Sequence, residues 1–176
     1  MFQALIDALA DIRAFVDSGG PILIVIALLT FAMWTLMFER FWFYKGSLGK
    51  LVNLTLDGWE ARAERKSWNA RKIRDAMISR VSSQINENLS MLGVMVTLCP
   101  LMGLLGTVVG MIEVFNVLAV TGGGDAKSMA AGVSQATIPT MAGMVAALSG
   151  VFGTSYINKI AKRENQLLED HLTMDH

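Results

Sequence analysis

Charged side chains are missing from three long stretches of this 176-residue chain, and cysteine, histidine and proline are scarce throughout it. The single cysteine, Cys99, excludes an intrachain disulfide; beside Pro100 it reads as a small apolar filler. Two histidines, His171 and His176, lie in the final stretch and are too few for a metal centre, so neither a metal nor a cofactor is expected. No nucleophile set, acid–base cluster or nucleotide fingerprint occurs, which leaves no enzyme chemistry to assign. The glycine run Gly122-Gly123-Gly124 lacks the Lys-Ser/Thr ending of a phosphate-binding loop and reads as a turn. No Lys or Arg precedes the apolar residues near Met1 and no cleavage site follows, so no signal peptide is expected.

What is abundant is apolar surface. Composition is 53% hydrophobic, and mean hydropathy is +0.46. The uncharged stretches run from Gly19 to Phe38, Asn88 to Ile112 and Ser128 to Asn158, or 20, 25 and 31 residues. A membrane core of ~30 Å needs about 20 residues of helix. The expected fold is therefore all-α, an integral membrane protein with three transmembrane helices, the second and third running on into solvent. Residues 1–18 form an amphipathic helix, 19–43 the first span and 44–87 a helical loop. Residues 88–119 form the second span, 120–128 a short loop, 129–158 the third span and 159–176 a tail.

Charge orients this arrangement. One basic residue, Arg13, precedes the first span, ten lie from Arg40 to Arg80, Lys127 alone separates spans two and three, and three follow the last span. Basic residues favour the inner side, which places the N-terminus outside and the long loop and tail inside. The cluster Arg62, Arg65, Lys66, Arg71, Lys72 and Arg74 can touch anionic lipid headgroups, although a solvated inner face is the plainer reading. Nearby acids dilute it and no motif accompanies it, which argues against nucleic acid.

Finer spacing gives the packing. Phe2, Leu5, Ile6, Leu9, Ile12 and Val16 repeat at helical spacing before Ser18-Gly19-Gly20-Pro21 breaks the helix. Span one is expected to end at Phe38, with Glu39-Arg40 meeting water and Trp34, Phe41, Trp42, Phe43 and Tyr44 forming an interfacial belt. Ile73, Met77, Val81, Ile85, Leu89 and Leu92 describe an amphipathic helix that enters span two with no breaker. In span three, Gly132, Ala136, Thr140, Gly143, Ala147, Gly150 and Thr154 form a stripe of small residues; span two answers with Gly103, Gly106 and Gly110. Small residues let helix backbones approach closely, which is what holds helices together in lipid.

Polar groups inside these spans are few. Thr107 and Thr140 stand on or beside the small faces, and each hydroxyl can serve a shared interior or bond back to its own helix. Gln135 adds an amide to span three. Glu113 follows Gly110 by one turn; its nearness to the outside loop favours a carboxylate that reaches interfacial water over one at a channel mouth. No titratable group lies at the membrane centre. Proton movement would need a carboxylate from a partner.

Several motifs together resemble the ExbB/TolQ/MotA family of proton-driven motor subunits, its ExbB branch above all. They are Gly19-Gly20-Pro21, Glu39-Arg40, Pro100-Leu-Met-Gly-Leu-Leu-Gly-Thr-Val-Val-Gly110 and Gly132-Val-Ser-Gln-Ala-Thr-Ile-Pro-Thr-Met-Ala-Gly143. The resemblance implies a homopentameric pore in a bacterial inner membrane, N-terminus periplasmic and C-terminus cytoplasmic. It implies two partners: an ExbD-type single-span protein with an intramembrane Asp, and a TonB-type protein. By resemblance, Thr107 and Thr140 are the pore threonines facing that Asp, and Gln135 stands where glutamate is frequent. Glu113 is the candidate acid for a periplasmic mouth, beside the plainer reading of a carboxylate in interfacial water. Pro139 replaces a usual small residue. The implied role is energising outer-membrane uptake of iron-siderophores, haem or cobalamin. A TolQ-like motor of envelope constriction, or a passive oligomeric scaffold, are the alternatives.

Overall fold

A computed structural model describes residues 2–62, 64, 67–122 and 126–172. Every regular element among them is helical: α1 (Phe2–Trp42), a π-helical turn (Phe43–Ser47), α2 (Leu48–Glu60), α3 (Trp68–Ile85), α4 (Leu89–Thr121) and α5 (Ala126–His171). Three helical stretches are long and apolar enough to cross a membrane. α1 is interrupted at Gly20, whose φ of 65° and ψ of −167° suit glycine because no Cβ clashes there. Pro21 then needs no amide partner in the turn that follows. Of the amphipathic face read before it, Phe2, Leu5, Leu9 and Ile12 lie outside the described side chains.

Helices cluster into two compact units. The first takes the chain up to Met33 and Val94–Val151; the second takes Trp34–Gly93 and Phe152 onward. The core of the first is small: Ile26, Cys99, Ala146 and Ala147, with Ile22, Leu29 and Met102 against it. Cys99 is fully buried, consistent with a space-filling role. The second unit has large side chains inside, among them Leu48, Trp59, Val81, Ile85, Leu168 and Leu172.

Two expectations fail in this second unit. The amphipathic helix does not enter span two unbroken: α3 stops at Ile85 and α4 begins at Leu89. Asn88 adopts φ 61°, the one positive φ of a non-glycine among the described residues. Asparagine tolerates that conformation because its short polar side chain offsets the steric cost. Asn86 ends α3 by turning its amide Nδ2 onto Ser82 O at 2.8 Å. The inward pattern nevertheless survives the break, with Val81, Ile85 and Leu92 all buried.

The second failure concerns Arg40. α1 runs past Phe38 to Trp42, and Arg40 is 3% exposed rather than in water. Its guanidinium donates to Gln84 O at 3.2 Å and to Glu39 Oε1 at 3.0 Å, reaches Glu87 Oε2 at 3.4 Å, and lies 5.2 Å from the Phe43 ring centre. Tyr44 Oη donates to Ile85 O at 2.8 Å. The last carbonyls of a helix have no intrahelical donor. Arg40 and Tyr44 supply two at the end of α3. Arg74 does the same for α5, donating to Leu172 O and, at 3.1 Å, to Glu169 O.

Candidate functional site

The site begins with absent side chains. A Cβ added at Gly103 would lie 2.9 Å from both Pro139 O and Thr140 Cα. One at Gly143 would lie 2.5 Å from Cys99 O and 3.2 Å from Gly103 Cα. At Gly110 it would meet Ala136 Cβ at 2.6 Å, at Gly132 Val114 Cγ2 at 2.5 Å, and at Gly106 the Pro139 ring. α4 and α5 therefore touch backbone to backbone over several turns. Gly150 stands apart from this seam, against Met33 and Val96.

Thr140 uses that closeness. Its Oγ1 donates to Gly103 O at 2.8 Å, across the helix pair and 37 residues away in sequence. Thr107 behaves differently: its Oγ1 donates to Leu104 O of its own helix at 2.7 Å. Both residues are half-buried. The two hydroxyls thus keep their protons on backbone carbonyls, and each oxygen retains lone pairs that can accept. Thr137 and Ser149 also bond back to their own helix. No group of three or more His, Cys, Asp or Glu residues that could hold a metal occurs among the described residues.

Gln135 and Glu113 are exposed residues on α5 and α4, and both line one cavity of about 430 Å³. Its floor is built by Gly106, Gly110, Gly132 and Pro139, and the broken turn at Gly20 closes one side. The structure therefore brings Gly103, Pro139, Thr140 and Gly143 together, and separately Glu113 and Gln135. Sequence reasoning missed the buried Arg40 and the pair in which Asn165 Nδ2 donates to Asn86 Oδ1 at 3.3 Å. The Glu39-Arg40 pair at the end of an apolar run was the available signal.

The model of the MotA/TolQ/ExbB proton channel family matches residues 44–170, which includes this α4–α5 seam. The chain belongs to that family. Similar relatives include an ExbB-like biopolymer transport protein (ExbB-like 1) of Synechocystis, 29% identical over 74% of this chain and 64% of that protein. The biopolymer transport protein exbB1 of Vibrio cholerae is 38% identical over 51% of this chain and 40% of its own length. ExbB of Helicobacter pylori is 37% identical over 40% of this chain and 49% of its own. The chain thus spans from two fifths to just under two thirds of the relatives it matches. Family membership and three apolar helices make it a multi-pass membrane protein.

Proposed function

We propose that this chain is the ring subunit of a motor driven by the proton-motive force, of the type that energises biopolymer transport across a cell envelope. The observation that carries the reading is the hydroxyl of Thr140, set on the α4 backbone by helices in glycine-level contact. A hydroxyl in this place accepts from a carboxylic acid as it stands, or releases the Gly103 carbonyl and donates to a carboxylate, while its own charge stays constant. The seam glycines, Cys99, Pro139 and Thr140 bring no carboxylate of their own, so the proton carrier comes from a partner. An ExbD-type single-span helix with an intramembrane Asp fits that need. Burying a charged carboxylate in lipid is costly, so such an Asp enters only where polar groups meet it.

In the working cycle the partner acid takes a proton from the periplasmic side and loses its preference for the threonine niche. The partner shifts against the ring, the proton leaves inward, and the step repeats. Five copies around the partner, in an inner membrane with the N-terminus outside, supply the ring. A TonB-type protein carries the motion to outer-membrane uptake of iron-siderophores, haem or cobalamin. The ExbB names of the relatives support this branch, and a TolQ-like motor of the envelope is the alternative.

The test is iron-limited growth with Thr107→Val and Thr140→Val. Each removes a hydroxyl at constant shape, and each should abolish growth. Thr140→Ser, which keeps the hydroxyl, should restore it. A passive scaffold would tolerate all three variants, and unchanged growth in both valine variants would sink the motor.

A further inference from the structure

A threonine or serine inside a helix ordinarily turns its hydroxyl back onto a carbonyl three or four residues earlier. Thr30, Thr55, Thr97, Thr107, Thr137 and Ser149 all do so here. Thr140 does not, although its own turn offers the Ala136 and Thr137 carbonyls; its Oγ1 donates to Gly103 O at 2.8 Å. The residue before it, Pro139, stands in the interior of the 46-residue α5. A proline there removes a backbone donor and crowds the preceding turn, a cost that its ring has to offset. The ring is buried against Gly106, where an added Cβ would lie 2.9 Å from Pro139 Cγ. One turn back along α4, Gly103 leaves the same kind of space for the Pro139 carbonyl and the Thr140 Cα, each 2.9 Å from where its Cβ would stand. A pyrrolidine ring is tied to its own backbone and cannot swing aside as a free side chain does. Seated on Gly106, it fixes the depth and the register at which α5 lies along α4.

We infer that Pro139 is a positioning residue: its ring, lodged in the hollow at Gly106, aims the Thr140 hydroxyl across the helix pair and away from its own helix. A hydrogen bond weakens steeply with distance and angle. A small slip of α5 therefore returns the hydroxyl to the carbonyls of its own turn. For its use the inference rests on the motor reading, in which Thr140 is the hydroxyl set before the partner's carboxyl.

The test reads the Gly103 carbonyl directly. Gly103–Leu104 is the one Gly-Leu step in the chain. Full-length protein in detergent micelles, labelled with carbonyl-¹³C glycine and ¹⁵N leucine, therefore gives a single coupled carbonyl resonance. Losing the Thr140 hydrogen bond moves that resonance upfield; Thr140→Val calibrates the displacement, and Thr140→Ser leaves the signal in place. Pro139→Ala should move it in the same direction by at least half as much, and Thr140→Val should then add little. Gly106→Ala, which fills the hollow from the other helix, should act likewise with Pro139 intact. An unmoved resonance in Pro139→Ala overturns the positioning role, as does a full further displacement when Thr140→Val is added to it. Loss of packing alone would lower the unfolding midpoint and leave the two substitutions additive. Where Thr140→Val stops iron-limited growth, Pro139→Ala should slow it several-fold, and wild-type growth there also overturns the role. No growth enters the carbonyl measurement, so its failure leaves the motor reading intact. Conversely, tolerated hydroxyl variants would remove the motor and leave Pro139 holding Thr140 in place.

Discussion

The two units of this molecule are held together by opposite means. The first packs by subtraction: Gly103, Gly106, Gly110 and Gly143 leave room for another backbone, and one hydroxyl crosses between helices. The second packs by addition, around Trp59, Leu48, Ile85, Leu168 and Leu172, with a buried guanidinium at its edge. Charge divides the same way, because 13 of the 15 basic residues fall in the stretches of the second unit. Lipid removes the hydrophobic force between helices, so close van der Waals contact must replace it. Where water is present, burying large apolar side chains becomes the stronger device, at ~25 cal/mol per Å².

The hardest way to break the first unit is to fill its seam. Gly143→Val places carbon against the Cys99 carbonyl, a backbone atom that cannot step aside. Overpacking of this kind costs about 3 kcal/mol. The expected result is loss of the folded protein in a denaturant titration in detergent, together with loss of any oligomer.

Arg40→Met breaks the second unit at its charged edge. Glu39 and Glu87 are half-exposed and rehydrate, so the loss falls mainly on the Gln84 carbonyl and the Phe43 contact. Losing a hydrogen bond from a charged donor costs about 2 kcal/mol. Glu87→Gln, which removes only a 3.4 Å pair with an exposed partner, should cost under ~1 kcal/mol. Equal costs for the two variants, in the same titration, would show that the ion pair and not the carbonyl cap holds Arg40.

These two sites also mark what could be read in advance. The apolar stretches and the small stripe were legible because lipid imposes a length of helix and a period of contact, both visible in neighbouring residues. Arg40 was not, since its partners Gln84 and Glu87 lie 44 and 47 residues away. The break at Asn86–Asn88 was hidden for another reason: the apolar spacing from Ile73 to Leu92 continues straight through it. Asparagine is only a weak breaker. At the seam, glycine spacing announced a close contact, yet spacing alone did not distinguish Thr140, which bonds across to α4, from Thr107, which bonds to its own helix.

That last difference separates stability from function. Thr140→Val should lose about 1 kcal/mol, one net hydrogen bond, while Thr107→Val should unfold at the wild-type midpoint. If both variants nonetheless abolish iron-limited growth, the hydroxyls act on the partner and not on the fold. Asn88→Ala tests the other unit at similar size. A left-handed residue with a Cβ costs about 1 kcal/mol, and Asn88→Gly should recover it.

The smallest effect has the opposite sign. Gly93 lies on α4, the same helix as Gly103, but a Cβ there would meet nothing within 4 Å. Where an added Cβ has open space, alanine in place of a helical glycine chiefly restricts the unfolded chain. Gly93→Ala should therefore stabilise the protein by about 0.5 kcal/mol. Gly103→Ala, ten residues further along, should destabilise it, because its Cβ would meet Pro139 O and Thr140 Cα at 2.9 Å. One helix and one substitution then give two signs, read as opposite displacements of the same unfolding midpoint. If Gly93→Ala also destabilises, the space beside Gly93 is filled in the folded protein.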